Sequence, residues 1–178
     1  MNPIQEFPIM AIIRCTKKLL SELKAKNGEL SQTPNDLNSW HANIFLVERR
    51  KCAIFSHDRT LYSFIVPGLT KPDFQNFEEI FRQRLFKSLL AEGLPQKHIE
   101  FFLEDNRNIE FTKTNNRSVL GSMNELVFHA KYQISAEGGP LNVDIGKLNH
   151  YINQIPMSAI DEIFSIYELK KFLEGLEK

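Results

Sequence analysis

The sequence predicts an α+β fold, with an antiparallel or mixed sheet that contains a three-strand meander and is covered by helices. Three observations predict it. Three strand-like runs follow one another over residues 40–66 with only short polar connectors between them. Apolar residues recur at helical spacing over residues 72–91 and 117–135. The order β-α-β-β-β-α-α-β-α-α-α also lacks the regular strand–helix alternation of a doubly wound sheet. The 178 residues contain no internal repeat, so they read as a single domain. Residues 1–9 carry Pro3 and Pro8 and little periodicity, and they read as an N-terminal extension.

The elements follow in chain order. Met10 opens a strand through Ile12, Ile13 and Cys15, and Thr16 is placed to cap a short helix. Leu19, Leu20 and Leu23 form the apolar side of that helix, which is expected to end near Gly28. Residues 27–39 are a loop by composition. Strands are expected at 40–47, 52–56 and 61–66, with connectors at 48–51 and 57–60. Pro67-Gly68 is expected to end the meander. Pro72 and Asp73 start a helix to about Ala91, with Phe74, Phe77, Phe81 and Leu85 on one stripe and a Glu78–Arg82 pair on the wet side. Gly93 stops it, and Pro95 begins a shorter helix to about Leu103. A strand at 109–114 leads into the helix at 117–135, broken by Gly138-Gly139-Pro140. Helices at 144–154 and 165–176 complete the chain, on either side of a turn at Pro156.

Composition narrows the class. The chain is 42% hydrophobic and 25% charged, as expected for a globular protein. Fourteen Phe residues predict an aromatic-rich core. Twenty-two basic residues balance 22 acidic ones, which argues against wholesale wrapping of nucleic acid but leaves room for a local basic patch. No stretch approaches the roughly 18 apolar residues of a membrane span, and the N-terminus lacks the layout of a secretory leader. A cytoplasmic location without membrane attachment is therefore expected. Cys15 and Cys52 lie in apolar strands without metal-type spacing and read as free core thiols.

Polar residues cluster in three places. The first is the strand-to-helix junction at 112–122, where Asn115, Asn116, Arg117 and Ser118 surround a helix N-terminus. Backbone N–H groups and the macrodipole favour an anion there. On the following helix Ser118, Ser122, Glu125 and His129 share one stripe. Glu125 and His129 stand one turn apart, but no second histidine has ligand spacing, so no metal site is expected. The second cluster is Trp40-His41-Ala42-Asn43. A hairpin closing over 48–51 pairs Val47 with Cys52 and Asn43 with Ser56, which brings His41 near Asp58. Such a pair can orient an imidazole as an acid/base. The third is the basic hairpin tip Arg49-Arg50-Lys51, a type of contact to phosphate. Gly-rich phosphate loops, nucleophile elbows and zinc motifs are absent from the sequence.

Several blocks carry a family resemblance. They are Ile13-Arg14-Cys15-Thr16-Lys17-Lys18, Trp40-His41-Ala42-Asn43, Arg49-Arg50-Lys51-Cys52, Val66-Pro67-Gly68 and the run from Phe111 to Asn124, with Asn153, Pro156 and Met157 near the end. Over residues 10–173 the chain resembles a family of small bacterial proteins defined as a domain of unknown function. The resemblance implies a complete small protein, with residues 1–9 as an extension. It implies no reaction, cofactor or partner.

The residues themselves favour a ligand-binding domain. Asn115, Asn116, Arg117, Ser118 and Asn43 are its candidate binding residues, and a phosphate-bearing ligand or nucleic acid is its expected partner. The alternatives are a hydrolase or transferase on a phosphate-containing substrate, with His41 as acid/base, and a protein-interaction module. No cofactor is named by the sequence, and the oligomeric state is left open.

Overall fold

Strands β1 (Met10–Cys15), β2 (Ser39–Val47), β3 (Arg50–His57), β4 (Ser63–Leu69) and β5 (Asn108–Lys113) form one mixed sheet in the order β4-β3-β2-β1-β5. The computed structural model describes residues 10–24, 36–105 and 108–178. The expected extension at 1–9 lies outside them, while the first helix ends at Leu23, short of the expected end near Gly28. The fold is α+β, and β2-β3-β4 form the expected antiparallel meander. β1 instead runs parallel to both β2 and β5.

The hairpin between β2 and β3 is tighter than the sequence suggested. Glu48 and Arg49 both have positive φ, at 50° and 66°, and they alone form the turn. This backbone matches the twist of a two-residue hairpin. Val47 therefore pairs with Arg50 and Phe45 with Cys52, in place of the expected Val47–Cys52 pair. The slip is two residues. Because side chains alternate with period two, every residue keeps its expected face.

β4 also runs past its expected end. Pro67 and Gly68 lie inside it, at a shift in register between Lys51–Leu69 and Ala53–Val66. The strand tolerates Pro67 because β4 is an edge of the sheet. Gly68 takes φ +70°, a conformation natural to glycine at a bulge.

Helices cover both faces. On one side pack α1 (Lys17–Leu23), α2 (Lys71–Gln75), α3 (Phe77–Ala91), α4 (Gln96–Asp105) and α7 (Ser165–Gly175). On the other pack α5 (Arg117–Ala136) and α6 (Ile145–Ile152). The expected helix over 72–91 is two helices. Asn76, at φ −115° and ψ 34°, interrupts it, while Phe74, Phe77, Phe81 and Leu85 stay buried on one side. α1 closes at Lys24, whose left-handed backbone donates its N–H to the carbonyls of Leu20 and Ser21. The first core is aromatic. Trp40 meets Phe64, Phe81 and Phe102 edge-on at centroid distances of 5.4–6.0 Å. Cys15 and Cys52 are free thiols buried in opposite cores, so the sheet lies between them. Burial pushes the Cys15 thiol up to about 12.

The exposed side of β4 is protected by α6. Asn149 accepts the Ile65 N–H at 2.8 Å. One turn later Asn153 accepts the Ser63 N–H at 2.8 Å and donates to the Ser63 carbonyl at 2.7 Å. Its Oδ1 also takes the Ser165 hydroxyl, which joins α7 to the same point. Two side-chain amides at i, i+4 thus stand where another strand would bind. Asn153→Ala should cost about 2–4 kcal/mol, and Asn149→Ala about 1–3, because each strands buried strand groups. Urea unfolding of the two variants checks the order.

His57 generates a second expectation. It is fully buried against Trp40, donating from Nε2 to the Leu37 carbonyl and accepting at Nδ1 from Thr60. Burial pushes this imidazole down to about 4. An unfolded histidine titrates near 6.5, so between those values the unfolded chain binds the extra proton. Stability should be full above about pH 6.5 and should fall by about 3 kcal/mol as pH drops through the window to about 4. Unfolding free energies at pH 7 and 4.5 should show a smaller acid loss for His57→Gln than for the wild type.

Candidate functional site

A single carboxylate joins the parallel strands. Arg14 on β1 and His41 on β2 are direct cross-strand neighbours and therefore share a face. Asp58, in the turn after β3, is fixed by its N–H bond to the Ser39 carbonyl at 2.9 Å. Its Oδ2 accepts from Arg14 Nη1 and its Oδ1 faces His41 Nδ1, both at 2.6 Å. The expected approach of His41 to Asp58 is thus present despite the changed register. His41 is completely buried, and its Nε2 accepts the backbone N–H of Asn115 at 3.4 Å. That contact places the imidazole hydrogen on Nδ1, donating to Asp58. Both ring nitrogens are occupied, and in this structure His41 offers neither to a substrate.

The junction at 112–122 is docked by the same group. Thr114 donates its N–H to the Cys15 carbonyl at 3.3 Å, so the turn crosses the end of β1. Asn116 is the N-cap of α5, and its Oδ1 accepts from the N–H groups of Ser118 and Val119 at 2.9 and 3.2 Å. Those donors were the expected anion ligands. They are taken by the cap. Asn115, Asn116, Arg117 and Ser118 are exposed, and they line none of the described cavities. The stripe of Ser118, Ser122, Glu125 and His129 is exposed or half-buried. No cluster of three metal-ligating side chains occurs among the described residues.

A cavity opens beside the junction. Pairing of β1 with β2 stops at Cys15–Ala42, so residues 43–47 of β2 have β3 on one side only. α1 and α5 stand on opposite faces of the sheet there and leave a groove of about 700 Å³. Lys18 and Glu22 come from α1, Asn43 from β2, Lys51 from β3, and Asn124 and Lys131 from α5. Asn43 Oδ1 accepts from Thr16 Oγ1 at 2.7 Å and from the Ile44 N–H at 2.8 Å. Its oxygen is therefore committed, and its amide nitrogen has no partner among the described residues. Glu22 pairs with Lys51. Lys18 and Lys131 enter no ion pair among the described residues, so the groove carries excess positive charge.

The family described as Domain of unknown function (DUF6933) matches residues 12–168. The chain belongs to this family. The match spans most of β1, all of β2 to β5 and helices α1 to α6, so the groove lies wholly within the DUF6933 domain. No curated protein matches the chain. No helix among the described residues is long and apolar enough to cross a membrane.

Of the five candidate binding residues, only Asn43 lines the groove. Sequence reasoning missed Lys18, Asn124 and Lys131. One signal was available: Arg117, Asn124 and Lys131 are spaced by seven, and on a helix that spacing drifts only about 20°, which leaves them on one stripe. Arg117 thus continues the line of groove residues toward the start of α5. The importance of Asp58 leads to a direct expectation. Asp58→Asn removes the charge facing Arg14 and His41, which are only 11% and 0% exposed, and should cost about 2–4 kcal/mol. Equilibrium unfolding measures the loss, and a change under about 0.5 kcal/mol, the scale of an ordinary surface substitution, would show that Asp58 holds nothing together.

Proposed function

We propose that this domain binds a phosphate-bearing ligand in the groove between α1 and α5. One observation carries the reading: three lysines and two side-chain amides line the cavity, against a single carboxylate already paired with one of the lysines. The volume suits a small anionic molecule or a segment of a larger one. Apolar groups of Phe45 and Val127 form part of the lining, where weak solvation strengthens charge-assisted bonds. The site moves from the 112–122 junction to the groove beside it because Asn116 already satisfies the helix N-terminus. Arg117 retains a part as an exposed cation along the stripe, about 21 Å from Lys131 by helical rise. The Arg14–Asp58–His41 group, part-buried around a buried His41, supports the site from behind by fixing the strand ends and the start of α5.

Thermal unfolding with inorganic phosphate, sulfate and a nucleotide panel tests this reading. A bound anion should raise the wild-type melting temperature by mass action, equivalent to about 2.7 kcal/mol at a hundredfold excess over Kd. Lys18→Gln with Lys131→Gln should abolish the rise and leave the unliganded melting temperature nearly unchanged, since both side chains are exposed. Arg117→Ala should reduce the response to extended ligands only. If no anion shifts the wild type, or if the double variant responds equally, the groove is not the binding site.

A further inference from the structure

We infer that the ligand of this groove is single-stranded nucleic acid, its backbone held by a basic track and its bases stacked on the aromatic rim of α5. The inference rests on the phosphate-binding reading above and names the class of ligand.

The basic surface continues beyond the groove. A second cavity, of about 570 Å³, shares Ser21, Glu22 and Lys51 with the first and adds Lys24, Arg49, Arg50 and Lys71. The two together are lined by seven cations and one carboxylate, in a chain whose charges balance overall at 22 of each sign. The tight hairpin produces this crowding, because its two-residue turn projects Arg49 and Arg50 at the tip while Lys51 pairs inward with Glu22. The hairpin's own acid is turned elsewhere. The Glu48 carboxylate lies so close to Gly139 that a Cβ built there would come within 2.5 Å of Oε2. A continuous line of cations fits a polymer of phosphates better than a single small anion.

The rim supplies the second half of the argument. Phe128 and Tyr132 are 73% and 75% exposed, more than any other large apolar side chain described. They stand one turn apart on α5, each next in sequence to a residue that lines the groove, Val127 and Lys131. Exposed rings beside a cationic groove are stacking platforms for unpaired bases, whose faces are open, whereas a duplex hides them. Leu46, 57% exposed, adds apolar surface inside the groove for sugars or bases. Glu125 shares the stripe of Phe128 and Tyr132 and opposes the polyanion, so Glu125→Gln should tighten binding.

Fluorescence anisotropy with a labelled oligodeoxythymidylate of about twelve nucleotides measures the interaction directly. The wild type should bind it more tightly than a mononucleotide and more tightly than a duplex of equal length. Phe128→Ala with Tyr132→Ala should weaken oligonucleotide binding at least about tenfold, by loss of stacking, and leave the melting-temperature response to inorganic phosphate intact. Lys18→Gln with Lys131→Gln should lose the phosphate response, weaken oligonucleotide binding and flatten its log–log salt slope by about 0.7 per lysine. Unchanged oligonucleotide affinity in the aromatic variant, equal binding of duplex, or preferential binding to phosphatidylserine vesicles would each overturn the nucleic-acid inference while the phosphate response stood. Absence of any lysine-dependent phosphate or oligonucleotide response would overturn both readings together.

Discussion

The Asp58 carboxylate is the contact on which the rest of this structure depends. It sits in the turn after the meander, yet its two oxygens hold Arg14 of β1 and His41 of β2. His41 in turn receives the Asn115 N–H, which places the start of α5 across the end of the parallel strands. Three segments distant in sequence are thereby fixed to one part-buried carboxylate. Such an arrangement is expensive to desolvate and therefore specific, because an altered register would leave charged groups without their partner. Both nitrogens of His41 take part in this joint, Nδ1 toward Asp58 and Nε2 toward the Asn115 N–H.

The two halves of the sheet are finished differently. On the β4 side a further strand is prevented, since Asn149 of α6 and Asn153, its C-cap, already satisfy the outward-facing backbone. At β2 the opposite happens. β1 ends opposite Ala42, while β2 continues to Val47, and the helices that follow β1 and β5 rise on either face of the uncovered length. The groove is therefore a consequence of unequal strand lengths. Its charge comes from helices and hairpin residues that fold for other reasons.

That separation between scaffold and surface bears on function. The polar residues of the strand ends are largely consumed in holding the fold: Asn116 caps α5, Thr16 bonds Asn43, and Asn115 reaches His41 through its backbone. The cations are not consumed in this way. Lys18 and Lys131 face the groove without an acidic partner among the described residues, and the hairpin tip extends the positive surface beside them. Membership of DUF6933 assigns the domain to a family and leaves the chemistry to be read from this surface.

The sequence by itself determined the class of fold, the order of the elements, the faces of β2 and β3, and the aromatic core. These follow from local periodicity, and a period-two pattern survives even the two-residue error in the hairpin register. It also brought His41 to Asp58, since an even slip preserves the face. That Asn116 takes the helix donors an anion was expected to use is a local matter, because a cap reaches only two and three residues along the chain. Tertiary structure alone decided that Arg14 completes the His41–Asp58 group, because parallel pairing of β1 with β2 and β5 joins segments separated by long stretches of chain. The groove was illegible for the same reason. Lys18, Asn43, Lys51 and Lys131 belong to four different elements, and no local pattern encodes the distance between elements that only the packed sheet brings together.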